Sequence, residues 1–150
     1  LDAFSPGKCP QLWSEEFIQS LAALLAPGGR LLTYCRAAAV RNSLRHAGLE
    51  LRSLLPKPGD VAGWSSGTLA FRLNEYEQYA PEIGPGWRGL SVMEEEHLQT
   101  RAGVPYRDPT GSDTAALILK RRQHEQAFVE LPSTSAWKRK WGLARQACNF

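Results

Sequence analysis

The sequence predicts an α/β fold, and three observations carry that prediction. Short continuous apolar runs alternate with stretches whose apolar residues recur at helical spacing. The joints between them are brief and rich in Pro and Gly, and the last two strand-like runs have no helix between them. Strands alternating with helices over short loops indicate a layered, parallel sheet. Two consecutive strands without a crossover helix pair antiparallel. Helix–strand–helix–strand–strand is therefore the order expected over residues 12–73.

Each element has its own local signal. Ser14 reads as an N-cap, with Glu15 and Glu16 in the first turn, where the helix dipole favours acids. Trp13 and Ile18 occupy the positions of a hydrophobic staple. Phe17, Leu21, Leu24 and Leu25 recur at helical spacing, and Pro27-Gly28-Gly29 stops the helix. RLLTYC (30–35) is short and continuously apolar, as expected of a strand buried on both faces. A second helix over about 37–47 places Val40, Leu44 and Ala47 on one stripe and ends at Gly48. LELRSLL (49–55) and GTLAFRL (67–73) read as strands, joined by the Pro/Gly-rich connection 56–66.

Beyond Leu73 the texture changes. Residues 74–89 are irregular, with Pro81 and Pro85. Ser91 and Glu94 are spaced as a capping box for a short helix over about 91–100. VPYRDPTGSD is turn-rich, and Ser112 or Asp113 opens the longest helix, running to about Phe128. The expected division is residues 1–73 as the α/β unit, 74–130 as a covering segment with helices, and 131–150 as a basic, loosely ordered tail.

Composition narrows the class. No stretch approaches the roughly 20 apolar residues of a membrane span, and the first residues carry Asp2 and Pro6 where a signal peptide would be apolar. Cys9, Cys35 and Cys148 are scattered and odd in number, which fits a reducing cytoplasm and argues against a disulfide framework or a zinc site. His46, His97 and His124 have no partners at metal-ligand spacing, and EEEH (94–97) reads as a solvated helix face, so no metal is expected. The net charge of +3 conceals a pattern. Residues 1–74 hold eight basic and five acidic side chains, 75–100 one and six, and 101–150 nine and four. Two basic segments around an acidic one suit a polyanionic partner without identifying it. KRR (120–122) and KRK (138–140), the latter flanked by Trp137 and Trp141, offer charge and stacking to RNA, or form an ordinary basic surface.

Two stretches go further. PGGRLLTY follows an amphipathic helix, and a helix, a strand and an antiparallel hairpin come after it. That order resembles the second half of a class I S-adenosylmethionine-dependent methyltransferase sheet. The opening LDAFSPGKCPQLW resembles the DAF(S/A)P-x-K-N-P-x-(L/M)-W motif of the MnmC-type methyltransferases, with Cys9 where an asparagine is usual. The likeness continues through TYCRAAAVRNSLRHAGL, SSGTLA and VPYRDP, over about residues 1–110. Such enzymes methylate the aminomethyl group on the wobble uridine of certain tRNAs. The resemblance implies a Rossmann-like sheet, S-adenosyl-L-methionine as cofactor and tRNA as partner.

It also implies what lies elsewhere. In such folds the Gly-rich turn for the cofactor and the acidic residue for its ribose precede the DAFSP strand. The one G-x-G-x-x-G of the sequence, Gly84 to Gly89, falls in the irregular segment after the last strand-like run and does not join a strand to a helix, so it does not read as that turn. The chain is thus expected to carry the substrate side of the site, from the end of the fourth strand onward. A sheet edge without its neighbour would leave it poorly stable or self-associating on its own. No dinucleotide-binding pattern in a strand-turn-helix setting follows the methyltransferase region, so no FAD is expected.

Ligands of open α/β sheets sit beyond the carboxyl ends of the strands, where the resemblance places Asp2. A carboxylate there can accept a hydrogen bond from an alkyl amine and help remove its proton; an aspartate also caps loop amides. The resemblance favours Asp2 as catalytic, with Phe4, Pro6 and Lys8 as substrate-binding residues on a stiff loop. Arg36, Arg41 and Arg107 are candidate RNA contacts, while Tyr34 reads as core. Tyr106 and Asp108 share the VPYRDP motif. Two alternatives remain open: a non-catalytic RNA-binding or scaffold module of the same fold, and a methyltransferase acting on a different amine.

Overall fold

A computed structural model describes residues 1–56, 66–74, 81 and 83–143. Helix α1 (Glu15–Ala23) leads to strand β1 (Arg30–Thr33), and helix α2 (Ala38–His46) to strand β2 (Glu50–Leu54); strand β3 (Gly67–Phe71) follows. Short strands β4 (Ile83–Gly84) and β5 (Trp87–Arg88) precede α3 (Val92–Leu98), α4 (Ala115–Phe128) and α5 (Thr134–Lys140). The sheet order is β1-β3-β2-β5-β4. β1 and β2 point the same way across the α2 crossover, as expected, yet they are not neighbours. β3 returns between them and pairs antiparallel with both, Thr68 standing opposite Thr33 on one side and Ser53 on the other. The expected antiparallel final pair is present, and with β2–β5 and β4–β5 also antiparallel, so is every adjacent pair of the sheet.

Capping explains where the helices start. Ser14 Oγ accepts from the Phe17 amide, and its staple residues Trp13 and Ile18 are both fully buried. Ser91 and Glu94 form the expected capping box. α4 starts later than expected, because Thr114, not Ser112 or Asp113, accepts from the Leu117 amide. α2 ends at Gly48, whose φ of +79° is a left-handed conformation that side-chain-bearing residues rarely adopt.

The main core lies between the sheet and the pair α1 and α2. Ile18 and Ala22 meet Ala39, Val40 and Leu44 over Leu31, Leu51 and Ala70. On the opposite face a smaller cluster joins Leu69 and Phe71 to Leu54, Leu73 and Trp87. β1 departs from expectation: it alternates exposed and buried residues, and Leu32 is 53% exposed. That face of β1 is therefore only partly covered around Leu32, and the strand is fully buried on one face alone.

The C-terminal stretch also differs. Residues 134–140, expected to belong to a loose tail, form α5, capped by Ser133 and packed on α3 through the buried Trp137. Cys148 and most of the connection 56–66 lie outside the described residues. No helix among the described residues is long and apolar enough to cross a membrane.

Candidate active site

The opening loop is pinned to the carboxyl end of β1. The Leu1 amino group donates to the Leu32 carbonyl at 2.8 Å, and Tyr34 Oη donates to the Ala3 carbonyl. Trp13 Nε1 donates to the Phe4 carbonyl at 2.6 Å. Around Pro6-Gly7 the chain turns tightly, the Ser5 carbonyl accepting from the amides of Lys8 and Cys9. Trp13 is fully buried and meets Tyr34 edge-on, with centroids 6.3 Å apart. The aromatic residues of the opening therefore brace its backbone, with one exception. Phe4 is 79% exposed, and Asp2 and Lys8 are exposed as well, whereas Pro6 is buried.

Tyr34, expected in the core, is half-exposed and acts as a strut. Burial of its hydroxyl, then the charges of Cys35 and Asp2, raise its pKa, so it stays a donor to Ala3 at neutral pH. Next to this strut, Tyr34, Cys35, Arg36 and Ala37 line a groove of about 400 Å³ together with His97 from α3. Cys35 is buried, and burial raises its thiol pKa, which makes it an inert lining residue.

Arg41 requires a correction. Expected as an RNA contact at the crevice edge, it is 2% exposed and lies at the centre of a buried polar network. Its guanidinium donates to Glu94 Oε1 (3.0 Å), Thr68 Oγ1 (2.9 Å), Ser53 Oγ (3.3 Å) and the Gly67 carbonyl (3.2 Å). Thr68 in turn donates to the Cys35 carbonyl at 2.7 Å. Glu94 also accepts from Ser53 Oγ at 2.6 Å and from Arg88 at 2.9 Å. Burial alone would raise the Glu94 pKa. The hydrogen bonds from Ser53 and the Ser91 amide and the charge of Arg41 overcome it and hold the pKa at about 2. The network ties α2, α3, β2, β3 and the turn after β1 into one block beneath the groove. It is scaffold, out of reach of a nucleic acid.

The other predicted residues fall in two places. Arg36 is exposed at the groove. Arg107 is half-exposed and faces Glu16 at 3.7 Å and Glu125 at 4.0 Å. The rest of VPYRDP docks on the start of α1. Ser14 bridges to Tyr106, the Glu15 amide donates to the Tyr106 carbonyl, and Glu16 accepts from the Asp108 amide. Tyr106 is buried under Arg122, 4.4 Å from its ring centroid. The motif thus braces α1 directly behind the opening loop.

Sequence reasoning missed His97 as a groove residue. Its ring stacks on Trp137 at 4.1 Å. Burial first, then Arg41 and Lys138, lower its pKa to about 4, so it is neutral at physiological pH. No pattern around EEEH announced this, because the stacking partner comes from a distant helix. Among the described residues no group of three potential metal ligands is present.

Comparison with known proteins agrees with the geometry. Residues 1–59 match the S-adenosyl-L-methionine-dependent methyltransferase family. Over 87 residues the chain is 37% identical to the tRNA 5-methylaminomethyl-2-thiouridine biosynthesis bifunctional protein MnmC of Ralstonia nicotianae; this covers 58% of the chain and 13% of the relative. The protein of that name from Pseudomonas savastanoi pv. phaseolicola is 26% identical, over 87% of the chain and 24% of its own length. The chain therefore spans a small part of these relatives. The crystal structure of MNMC2 from Aquifex Aeolicus superposes with a TM-score of 0.66 at 22% identity, over 85% of the chain and 37% of that chain. In sequence the chain is similar to part of the MnmC proteins, and in fold it is similar to part of MNMC2.

Proposed function

We propose that the chain forms the acceptor side of an S-adenosyl-L-methionine-dependent methyltransferase that modifies the exocyclic aminomethyl nitrogen of a wobble uridine in tRNA. The observation that carries this reading is Asp2, exposed beyond β1 on a loop held by Leu1, Tyr34 and Trp13. An alkyl amine has a pKa of roughly 10 and arrives protonated at neutral pH. Its nitrogen must become neutral, with its lone pair directed at the methyl donor, before it can be alkylated. The Asp2 carboxylate accepts a hydrogen bond from that amine, orients it and helps take its proton. Phe4 packs on the uracil ring, and the buried Pro6 keeps the loop stiff while Lys8 meets a backbone phosphate.

The cofactor supplies the methyl group as a sulfonium. The turn joining β1 to α2, Tyr34-Cys35-Arg36-Ala37, has no glycine with which to approach a ligand closely. That turn therefore does not fit the cofactor's methionine and ribose, and the roles derived above belong to the acceptor alone.

The test is nucleoside analysis of tRNA from cells lacking the gene. Accumulation of an aminomethyluridine, reversed by the intact gene and not by one encoding Asp2→Asn, is the expected result. An unchanged nucleoside profile would refute the assignment.

A further inference from the structure

Three successive carbonyls of the opening loop are committed to hydrogen bonds. Ala3 accepts from Tyr34 Oη, Phe4 from Trp13 Nε1 at 2.6 Å, and Ser5 from the amides of Lys8 and Cys9. The first two donors are side chains from different parts of the fold, and their rings meet edge-on. The Ala3 and Phe4 carbonyls belong to the two peptide planes on either side of the Phe4 Cα, so the direction in which Phe4 leaves the backbone is fixed. Upstream, the contact of Leu1 with the Leu32 carbonyl and that of Ala3 with Tyr34 bracket Asp2. The side chains carried by this held backbone face solvent: Phe4 is 79% exposed, and Asp2 is exposed too. Tyr34 is itself held from below. The Cys35 amide donates to Thr33 Oγ1 at 3.1 Å, and the Cys35 carbonyl accepts from Thr68, which accepts from Arg41. The phenol thus carries the position of the buried block to the Ala3 carbonyl. Its hydrogen bond lies at the surface, where water replaces a lost partner and the gain in stability is small.

We infer that Tyr34 is a positioning residue for methyl transfer: its hydroxyl, through the Ala3 carbonyl, sets the aim of Asp2 relative to Phe4. The inference rests on the acceptor reading above. In that reading Asp2 meets the amine, and Phe4 meets the uracil ring that carries it. The angle between the two side chains then decides whether the nitrogen lone pair lies in line with the methyl donor. The Ala3 carbonyl stands between them in the chain, which is why its anchor matters. A displacement of about 1 Å can cost roughly a hundredfold in rate. Without the hydroxyl, Leu1 and Trp13 still hold the loop on either side, while the peptide joining Ala3 to Phe4 is free to turn. The nucleotide still binds, because Asp2, Phe4 and Lys8 are all present, but it spends less time in the reactive alignment.

The experiment measures single-turnover methyl transfer by the full gene product, with saturating S-adenosyl-L-methionine and tRNA carrying an aminomethyluridine. Tyr34→Phe, Asp2→Asn and the double variant are compared with the wild type. Tyr34→Phe is expected to lower the rate constant at saturating tRNA roughly tenfold, and to leave half-saturation by tRNA and the melting temperature unchanged. In the Asp2→Asn background the same substitution should cost less than about threefold, because the group it aims has already lost its role. A wild-type rate constant in Tyr34→Phe, or the full tenfold loss repeated in the Asp2→Asn background, would overturn the positioning role and leave the acceptor reading intact. Weaker half-saturation at an unchanged rate constant would also overturn it, since the phenol would then be an RNA contact. Failure of the wild-type protein to methylate tRNA, or wild-type turnover in Asp2→Asn, would overturn the acceptor reading and the inference with it.

Discussion

Replacing Arg41 with methionine should loosen the block that carries the groove. The substitution keeps most of the side-chain volume and removes donors to Glu94, Thr68, Ser53 and the Gly67 carbonyl. Glu94, 1% exposed, is then a buried carboxylate that has lost one of its two cationic partners. Breaking a buried pair on one side costs about 3–5 kcal/mol. Because Arg88, Ser53 and Ser91 still donate to Glu94, the lower figure of about 3 kcal/mol applies. The assay is native-state hydrogen exchange at the amides of Leu69 and Ala70 in β3, which reads local opening even when other domains are present. A loss of about 3 kcal/mol corresponds to exchange roughly two orders of magnitude faster. Arg41→Met combined with Glu94→Leu should recover part of the loss, since a well-packed apolar pair can replace a buried ion pair. Wild-type exchange in Arg41→Met, or a double variant no more protected than the single, would refute the reasoning.

Three further outcomes follow from the same geometry. His97 titrates below its ordinary range, so the unfolded chain takes up its proton first, and stability should fall as pH drops from about 6.5 to about 4, by roughly 2 kcal/mol once the full shift is discounted for the ring's partial exposure. His97→Gln should remove that limb of the stability curve. The lowered Glu94 pKa contributes above about pH 4.5 and is lost as pH falls toward about 2, a second limb that survives in His97→Gln. Gly67→Ala would drive a methyl into the Thr33 carbonyl and the Tyr34 backbone, and urea unfolding should show a loss of about 1–3 kcal/mol. Trp137→Ala should release α5, with limited proteolysis cutting near residues 134–140 at a protease dose that leaves the wild type intact.

Local chemistry was legible in the sequence, and long-range chemistry was not. Ser14, Trp13 and Ile18 announce the start of α1, and Ser91 with Glu94 that of α3, because capping joins residues within one turn. β1, β2 and β3 were also legible, as was the antiparallel pairing of β2 with β3, whereas β4 and β5 lie in a segment read as irregular. Arg41 looks like any helix-surface arginine, since its partners Ser53, Thr68 and Glu94 stand 12, 27 and 53 residues away. The open face of β1 escaped notice for a related reason: an apolar run reports hydrophobicity and not which neighbour covers it. Residues 134–140 read as a tail because their basic charge dominates. A single tryptophan finding His97 on another helix makes them structure.

The opening DAFSP stretch provides the most direct test of the central claim. Transfer of a labelled methyl group from S-adenosyl-L-methionine to tRNA carrying an aminomethyluridine would be measured with the full gene product and its Asp2→Asn variant. The expected result is incorporation at that nucleotide by the wild type, and turnover at least an order of magnitude lower for Asp2→Asn, which corresponds to about 1.4 kcal/mol in the barrier. Wild-type turnover in Asp2→Asn would contradict the role assigned to this carboxylate. Absence of transfer to tRNA by a wild-type protein that binds the cofactor would contradict the account as a whole.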